Sequence, residues 1–501
     1  MIRKVIMTWM CGILVLSAAE SGDLLRFMNG DQLHGEFQGI NQNHEAIWKR
    51  DDVSTPVHFK TSQLRHIILN GAIPAKSLTS LSHISLVNGD RVPGSITELN
   101  DDFVILETPF SGILKFPRDQ VAMLAPSPLG GRMNYYGPFI EEEWKMVHPS
   151  YSGGMPAVEG NAKNSKDQPG RWVFSGSAWY WSNKGIGTAL LKENSMPDQS
   201  ILRFELAWKN RLSLAMGFHA DFAKPKEKEA NHDENQPQVR RQISPRDSSV
   251  LPMIFGNSYV IQIYSSHLML FRTSIEEDGS PKVQSIQTNG NLVRLGESGK
   301  AQVEIRSNRK TGQISLFING EFALQWQEIA GDNKEDLKYA GKGSGFGFVA
   351  QSEDTAVKIS EIMVAEWNGM PDSARSLQVQ EQDIVLLANG TDRFSGRVTS
   401  LQDKKLKFDG KYGEFNFLLD DIAEIRFARN RLAKDIEASK ANLTVRLSPL
   451  GQITGQPISG NDSSLLLNSP IFGEVNVSLE SAVMLDFQPS NNIIDDWDAN
   501  F

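Results

Sequence analysis

A single cysteine, Cys11, occurs in 501 residues, and it sits inside an apolar run near the start, MIRKVIMTWMCGILVLSAAESGD. That scarcity excludes an intrachain disulfide, a thiolate metal site and a cysteine nucleophile anywhere downstream. Long hydrophobic runs are lacking as well. Val5 to Leu16 is an apolar stretch of 12 residues, short of the roughly 20 a membrane-spanning helix needs. No later run approaches that length. The nine histidines show no HxH or HxxxH pairing, and no G-x-S-x-G nucleophile elbow occurs. The glycine run GKGSGFG at 341–347 lacks P-loop spacing and leads into a strand pattern instead of a helix. Basic residues are outnumbered, 51 against 60 acidic, for a net charge of −9. An acidic surface argues against nucleic acid or anionic lipid as the main partner.

The opening segment has the parts of a secretory signal peptide over residues 1–19. Arg3 and Lys4 supply the positive start, Val5 to Leu16 the apolar stretch, and Ser17 and Ala19 the small residues before cleavage at Glu20. The alternative is an uncleaved N-terminal anchor. Cys11 follows Trp9-Met10, so the pattern is not that of a lipoprotein. Cleavage would remove the one thiol and leave no transmembrane segment. The expected localisation is outside the cytoplasm: periplasmic, at the cell surface or secreted, in a bacterial setting.

What the sequence does have is glycine, 41 residues of it, punctuating segments that alternate apolar and polar with period two. Four of these segments resemble one another: LLRFMNGDQLHGEF (24–37), ISLVNGDRVPGSI (84–96), IVLLANGTDRFSGRV (384–398) and LTVRLSPLGQITGQP (443–457). Each reads as strand, tight turn, then a strand carrying a further glycine. Asn29-Gly30, Asn88-Gly89 and Asn389-Gly390 suit a type I′ hairpin turn, which needs two positive φ angles. Ser448-Pro449-Leu450-Gly451 makes the same corner with different residues. A second glycine follows the kink glycine by 17 or 18 residues in three copies: Gly94 to Gly112, Gly396 to Gly413 and Gly455 to Gly473. The first copy lacks it. Repetition on this scale predicts four units of about five strands each, at 20–75, 76–130, 383–429 and 442–488. A sheet this small must curl to hide its edges. The pattern resembles the SH3-like and Sm-like small β-barrels. Gly94 and Gly396 are expected to let a strand bend as the barrel closes. The Asp after Asn-Gly is expected to serve its turn, not a metal.

Between the pairs lies one longer block, 138–369, mostly of period-two segments bounded by turn residues. Residues 314–321, ISLFINGE, and the closing VKISEI (357–362) with Trp367-Asn368-Gly369 carry a resemblance to laminin-G-like and concanavalin-like jelly rolls. That resemblance implies a two-sheet sandwich and a family of carbohydrate-binding modules, adhesion domains and some glycoside hydrolases. Residues 223–250 are charged and poor in apolar side chains and read as a flexible loop. Residues 370–382 read as a linker, and 428–441 as a connection able to form a short helix. The fold class expected is all-β: a central jelly-roll sandwich flanked by two pairs of five-stranded barrels.

Hydrolases of the sandwich fold commonly carry their acids on one strand as Glu-x-Asp-x-x-Glu, and this block has no such run. Glu205, Glu321 and Glu361 are the carboxylates to inspect. Trp208 and Trp326 share faces with other apolar residues and read as core. Trp179, Tyr180 and Trp181 put bulky rings on both faces of one strand, as a sugar-stacking platform or as packing. They are the candidate binding residues. No catalytic residue, metal or cofactor is expected. The function expected is non-enzymatic, binding a glycan or a surface protein; a carbohydrate-active hydrolase and a purely architectural envelope component are the alternatives.

Overall fold

The computed structural model describes residues 22–29, 31–128, 132–147, 170–174, 177–182, 188–224, 248–286, 289–290, 293–328, 339–351, 356–367, 380–389, 392–434 and 443–487. The expected signal peptide, most of the 223–250 loop and most of the 370–382 linker lie outside them. The chain is all-β, with one α-helix among the described residues, α1 (Leu251–Phe255). In the expected helical stretch at 428–441, Arg429–Arg431 form a 3-10 turn, and 435–441 lie outside the described residues.

Four units repeat one plan. In the third unit the strands are Asp383–Leu387, Arg393–Gln402, Lys405–Gly410, Gly413–Leu418 and, after the 3-10 turn Leu419–Asp421, Ile422–Arg426. The fifth strand returns to the first, giving the order 5-1-2-3-4. The other three follow the same order, with a 3-10 turn before each fifth strand.

The kink glycine of the second strand is set by contact with the third. A Cβ at Gly35, Gly94, Gly396 or Gly455 would lie 2.5, 2.5, 2.2 or 3.0 Å from the carbonyl oxygen of Lys49, Glu107, Asp409 or Asn468. At Gly35, Gly94 and Gly396 the strands cross too closely for a side chain, and at Gly455 a Cβ fits only if Asn468 gives way slightly. At 88–90 the expected type I′ turn is not formed. Gly89 alone takes a positive φ (90°), and Asn88 instead folds its side chain onto Asp90. A turn with both positive φ angles appears at Asn319 (53°) and Gly320 (76°) in the sandwich.

The units do not stand apart. The fifth strand of the first unit pairs with that of the fourth (Ile67 opposite Leu485), and the fifth strand of the second with that of the third (Leu124 opposite Ile425). Second strands meet likewise, Ile40 opposite Gly460 and Leu99 opposite Leu401. One apolar core, including Leu25, Ile84, Val385 and Val445, runs through all four.

The middle block forms a sandwich. Its nine-stranded sheet runs Trp172–Phe174, Ala178–Ser182, Ala356–Glu366, Gln199–Lys209, Gly299–Asn308, Gln313–Ile318, Glu321–Gln327 and Asn289–Gly290, with Met133–Gly137 also paired to Ala356–Glu366. The seven-stranded sheet runs Lys145–Val147, Ala189–Lys192, Gly345–Ala350, Ser213–Ala220, Ser258–Tyr264, Leu268–Ile275 and Pro281–Ile286. Leu202, Phe204, Leu206 and Trp208 face Leu214, Met216, Phe218, Tyr259 and Ile261 across the interior.

Candidate functional site

A sandwich has two outer faces on which a ligand can rest, and here the four units occupy much of one. On the nine-stranded sheet, Ile201, Met363 and Trp367 pack against Leu386 and Ala423 of the third unit. Arg26 and Arg65 of the first unit lie over the rings of Phe174 and Tyr180, at 5.4 and 5.9 Å. Arg91 of the second unit and Arg446 of the fourth both donate to the carboxylate of Glu361, which also accepts from the Tyr136 hydroxyl at 2.9 Å.

Glu361 reaches these partners because its backbone is displaced. On the neighbouring strand Arg203 pairs with Met363 and Glu205 with Ser360, so two residues oppose one. Glu361 sits in this bulge with φ at 52°. A bulge re-aims its side chain, and this one turns a carboxylate toward the barrels. Burial opposes ionisation of Glu361, but Arg446 and Arg91 outweigh it and hold its carboxyl well below the usual range. Burial and the Glu361 charge push Tyr136 up to about 12. Nearby, Glu304 is buried and bridges Arg203 (2.5 Å) and Arg306 (2.7 Å), which likewise keep it ionised.

The carboxylates singled out from sequence are thus engaged separately. Glu361 is taken by two guanidiniums and a phenol, Glu205 is held by Lys300 at 2.7 Å, and Glu321 is exposed at a strand end. Among the described residues no group of three acids or histidines is arranged to hold a metal. Inside the sandwich, Ser307 Oγ lies 2.8 Å from both His219 Nε2 and Ser200 Oγ. Burial holds His219 down at about 3, so this is a neutral polar contact within the core.

The structure places all three candidate aromatics inside. Trp179 is 0% exposed, Trp181 1% and Tyr180 3%. The two indoles face the interior with Trp172, Phe174 and Trp144. Tyr180 points the other way, beneath Arg65 and Lys358. No ring face of the three is open to a sugar, because both faces of that strand are covered.

The seven-stranded sheet is different. Helix α1 covers one end of its outer face, packing Leu251, Ile254 and Phe255 on Ala189, Ala215, Val260, Phe271 and Val349. Gly217 makes room: a Cβ there would lie 2.4 Å from Phe255. One pleat further from the helix the same face turns polar. Alternation from buried Ile261 and Ile263 sets Gln262 and Tyr264 outward, beside Ser213 and Met269. Tyr264 donates to Gln262 Oε1 at 3.2 Å, and its ring stacks on His267 at 4.7 Å and 18°. Gln262 Nε2 and Ser213 Oγ, both buried, have no hydrogen-bond partner among the described residues. Met269 is 37% exposed.

An aromatic face and an exposed thioether, set over two buried polar groups that are unpaired among the described residues, suit the apolar face of a ligand. Sequence reasoning missed this cluster. Its signal was Gln262 amid YVIQIY, a polar residue on a strand otherwise fit for burial on both sides.

What these features define is an all-β protein with a jelly-roll sandwich joined to a cluster of small β units. No helix among the described residues is long and apolar enough to cross a membrane. No protein-family model matches the chain, and neither does any curated protein. Solved structures do resemble it, over about half its length. A Bacillus subtilis protein of unknown function with a galectin-like fold is similar over 47% of this chain and 97% of its own, at 12% identity and a TM-score of 0.29. A carbohydrate-binding module from Bacillus subtilis matches over 45% and 96%, at 10% identity and 0.24. A putative glycosyl hydrolase from Parabacteroides distasonis matches over 46% and 100%, at 12% identity and 0.23. Likeness at this level does not extend to ligand or activity.

Proposed function

We propose that this is an exported binding protein that engages a glycan through the outer face of the seven-stranded sheet, beside α1. The single observation that carries the reading is the half-buried Tyr264 ring stacked on exposed His267, with exposed Met269 on the same face. Beneath them the Gln262 amide N–H and the Ser213 hydroxyl, both buried, lack partners among the described residues, on the sandwich face away from the barrels. Pyranose rings offer the complement, a flat C–H face bordered by hydroxyls. Trp179, Tyr180 and Trp181 then serve packing, and the four units act as SH3-like barrels that brace the opposite face.

The test is retention on a glycan array by the full chain, by Tyr264→Ala and by Met269→Ala. Loss of a stacking ring predicts a fall of about tenfold for Tyr264→Ala, with a smaller fall for Met269→Ala. Absence of any retained glycan, or retention untouched by Tyr264→Ala, would sink this reading. The burial of the nine-stranded face under all four units favours the architectural alternative in that event.

A further inference from the structure

The repeats supply an internal comparison. In the third unit Asp383 begins the first strand, opposite the kink glycine Gly396. It is fully buried and uses both oxygens. Oδ2 accepts from Val398 N at 2.8 Å, and Oδ1 accepts from Ala428 N at 2.9 Å and from the Arg431 guanidinium at 2.7 Å.

Asp23 holds the same place in the first unit, opposite Gly35. Its Oδ2 accepts from Phe37 N at 2.7 Å, and its Oδ1 from Asn70 N at 2.8 Å. Phe37 and Val398 each lie two residues past the kink glycine. Asn70 and Ala428 each lie two residues past the fifth strand. The hydrogen-bond match fails at one point, and one residue past the kink glycine Arg397 of the third unit is answered by Glu36 in the first. Three residues past Ala428 stands Arg431; three residues past Asn70 stands Ile73, 62% exposed to solvent.

Beside Asp23 a cavity of about 360 Å³ opens between the first and fourth units. Among the described residues, Asp23, Glu36, Gln38, Asn70 and Asp462 give its polar lining, and no Lys, Arg or His contributes to it. Glu36 is met by Lys49 at 2.8 Å, a pair more than half exposed on both sides. Burial lifts the Asp23 carboxyl above its usual value even though two backbone amides favour its charge.

We propose that this cavity binds a guanidinium group: an arginine side chain of a protein partner takes beside Asp23 the place that Arg431 holds beside Asp383. A planar guanidinium can meet Asp23 and the flanking carboxylates of Glu36 or Asp462 through several N–H donors at once, which a spherical cation cannot. The site is remote from the sandwich cluster and does not depend on glycan binding.

The experiment is a titration of the isotope-labelled full chain with N-acetyl-arginine amide, read at the Phe37 and Asn70 amides. N-acetyl-citrulline amide, its neutral isostere, is the control. The expected result is a saturable shift with the arginine compound alone, weakened about tenfold in Asp462→Asn by loss of one charge-assisted contact. Ile73→Arg should fill the cavity from within the chain, abolish the shift and raise the urea midpoint. Because Ile73 and Asp462 are exposed, neither variant endangers the fold. Equal shifts with citrulline, no saturable shift, or binding undiminished in Ile73→Arg would each overturn the proposal.

Discussion

Asp90 Oδ2, in the second unit, accepts a hydrogen bond at 2.9 Å from the backbone N–H of Thr454, in the fourth. The two residues are 364 positions apart and both are buried. A turn acid expected to satisfy only its own corner therefore also fastens the N-terminal part of the chain to the C-terminal part.

Asp90→Ala leaves the Thr454 amide buried without an acceptor. The expected cost is about 1–3 kcal/mol. Urea unfolding of the variant should show a lower midpoint, while Asp31→Ala, the exposed counterpart in the first unit, should change it little.

Glu361→Ala removes the acid that Arg91 and Arg446 share. Two guanidiniums stay buried without their partner, at a cost of about 3–5 kcal/mol. The loss falls on the contact between sandwich and barrels. Limited proteolysis should accordingly release the sandwich earlier in the variant, and an unchanged cleavage pattern would contradict the bracing role.

His83 is buried, and its Nδ1–H donates to Leu81 O at 2.7 Å. Burial, aided by Arg91 and Arg203 and opposed by that carbonyl and Glu424, pulls its pKa down to about 4. The unfolded chain binds the proton near 6.5, so between these values the unfolded state holds more protons. Stability is thus full above about pH 6.5 and declines as pH falls toward 4, by about 3 kcal/mol from this group. Glu304 and Glu361, depressed in the folded state, add a loss that begins lower, below their unfolded values near 4.5. His83→Asn keeps a donor for Leu81 and lacks the titration, so its melting temperature should vary less between pH 6.5 and 4.

Gly396→Ala places a methyl 2.2 Å from the Asp409 carbonyl oxygen. Relief requires the second and third strands of that unit to part, at a cost of about 1–3 kcal/mol. Amide exchange at Val398 and Phe408 should quicken selectively, and protection equal to wild type would mean the crossing is looser than described.

The local plan of each unit was legible because it depends on neighbours in sequence. Alternation announces strands, and glycine at Gly94 and Gly396 announces a crossing, since a side chain there would clash with the facing strand. The joining of units was not legible. Ile67 meets Leu485, and Leu124 meets Ile425, through backbone groups that carry no sequence signature. Helix α1 escaped notice because five residues complete little more than one turn, too few for a periodic signal. The strand Ala178–Ser182 carried more information than it was given. Large rings on both faces mean that both faces are covered, as in any strand buried on two sides, and that favours packing over a platform. Arg91 and Arg446 could not be assigned to Glu361 in advance, because the bulge that turns the acid toward them arises only when strand partners are known.

The pairing of first unit with fourth, and second with third, sets an order on assembly. The fifth strand of the second unit ends at Ala125, yet its partner edge in the third unit begins at Ile422, and the fourth unit closes at Asp486. At ribosomal speeds of roughly 5–20 residues per second, the early strands wait for tens of seconds with an open edge. An unpaired edge of that kind invites association with any other extended chain. The first hundred residues are thus held in suspense until the last are made, and during that interval the nascent polypeptide needs a chaperone's protection more than the finished protein ever will.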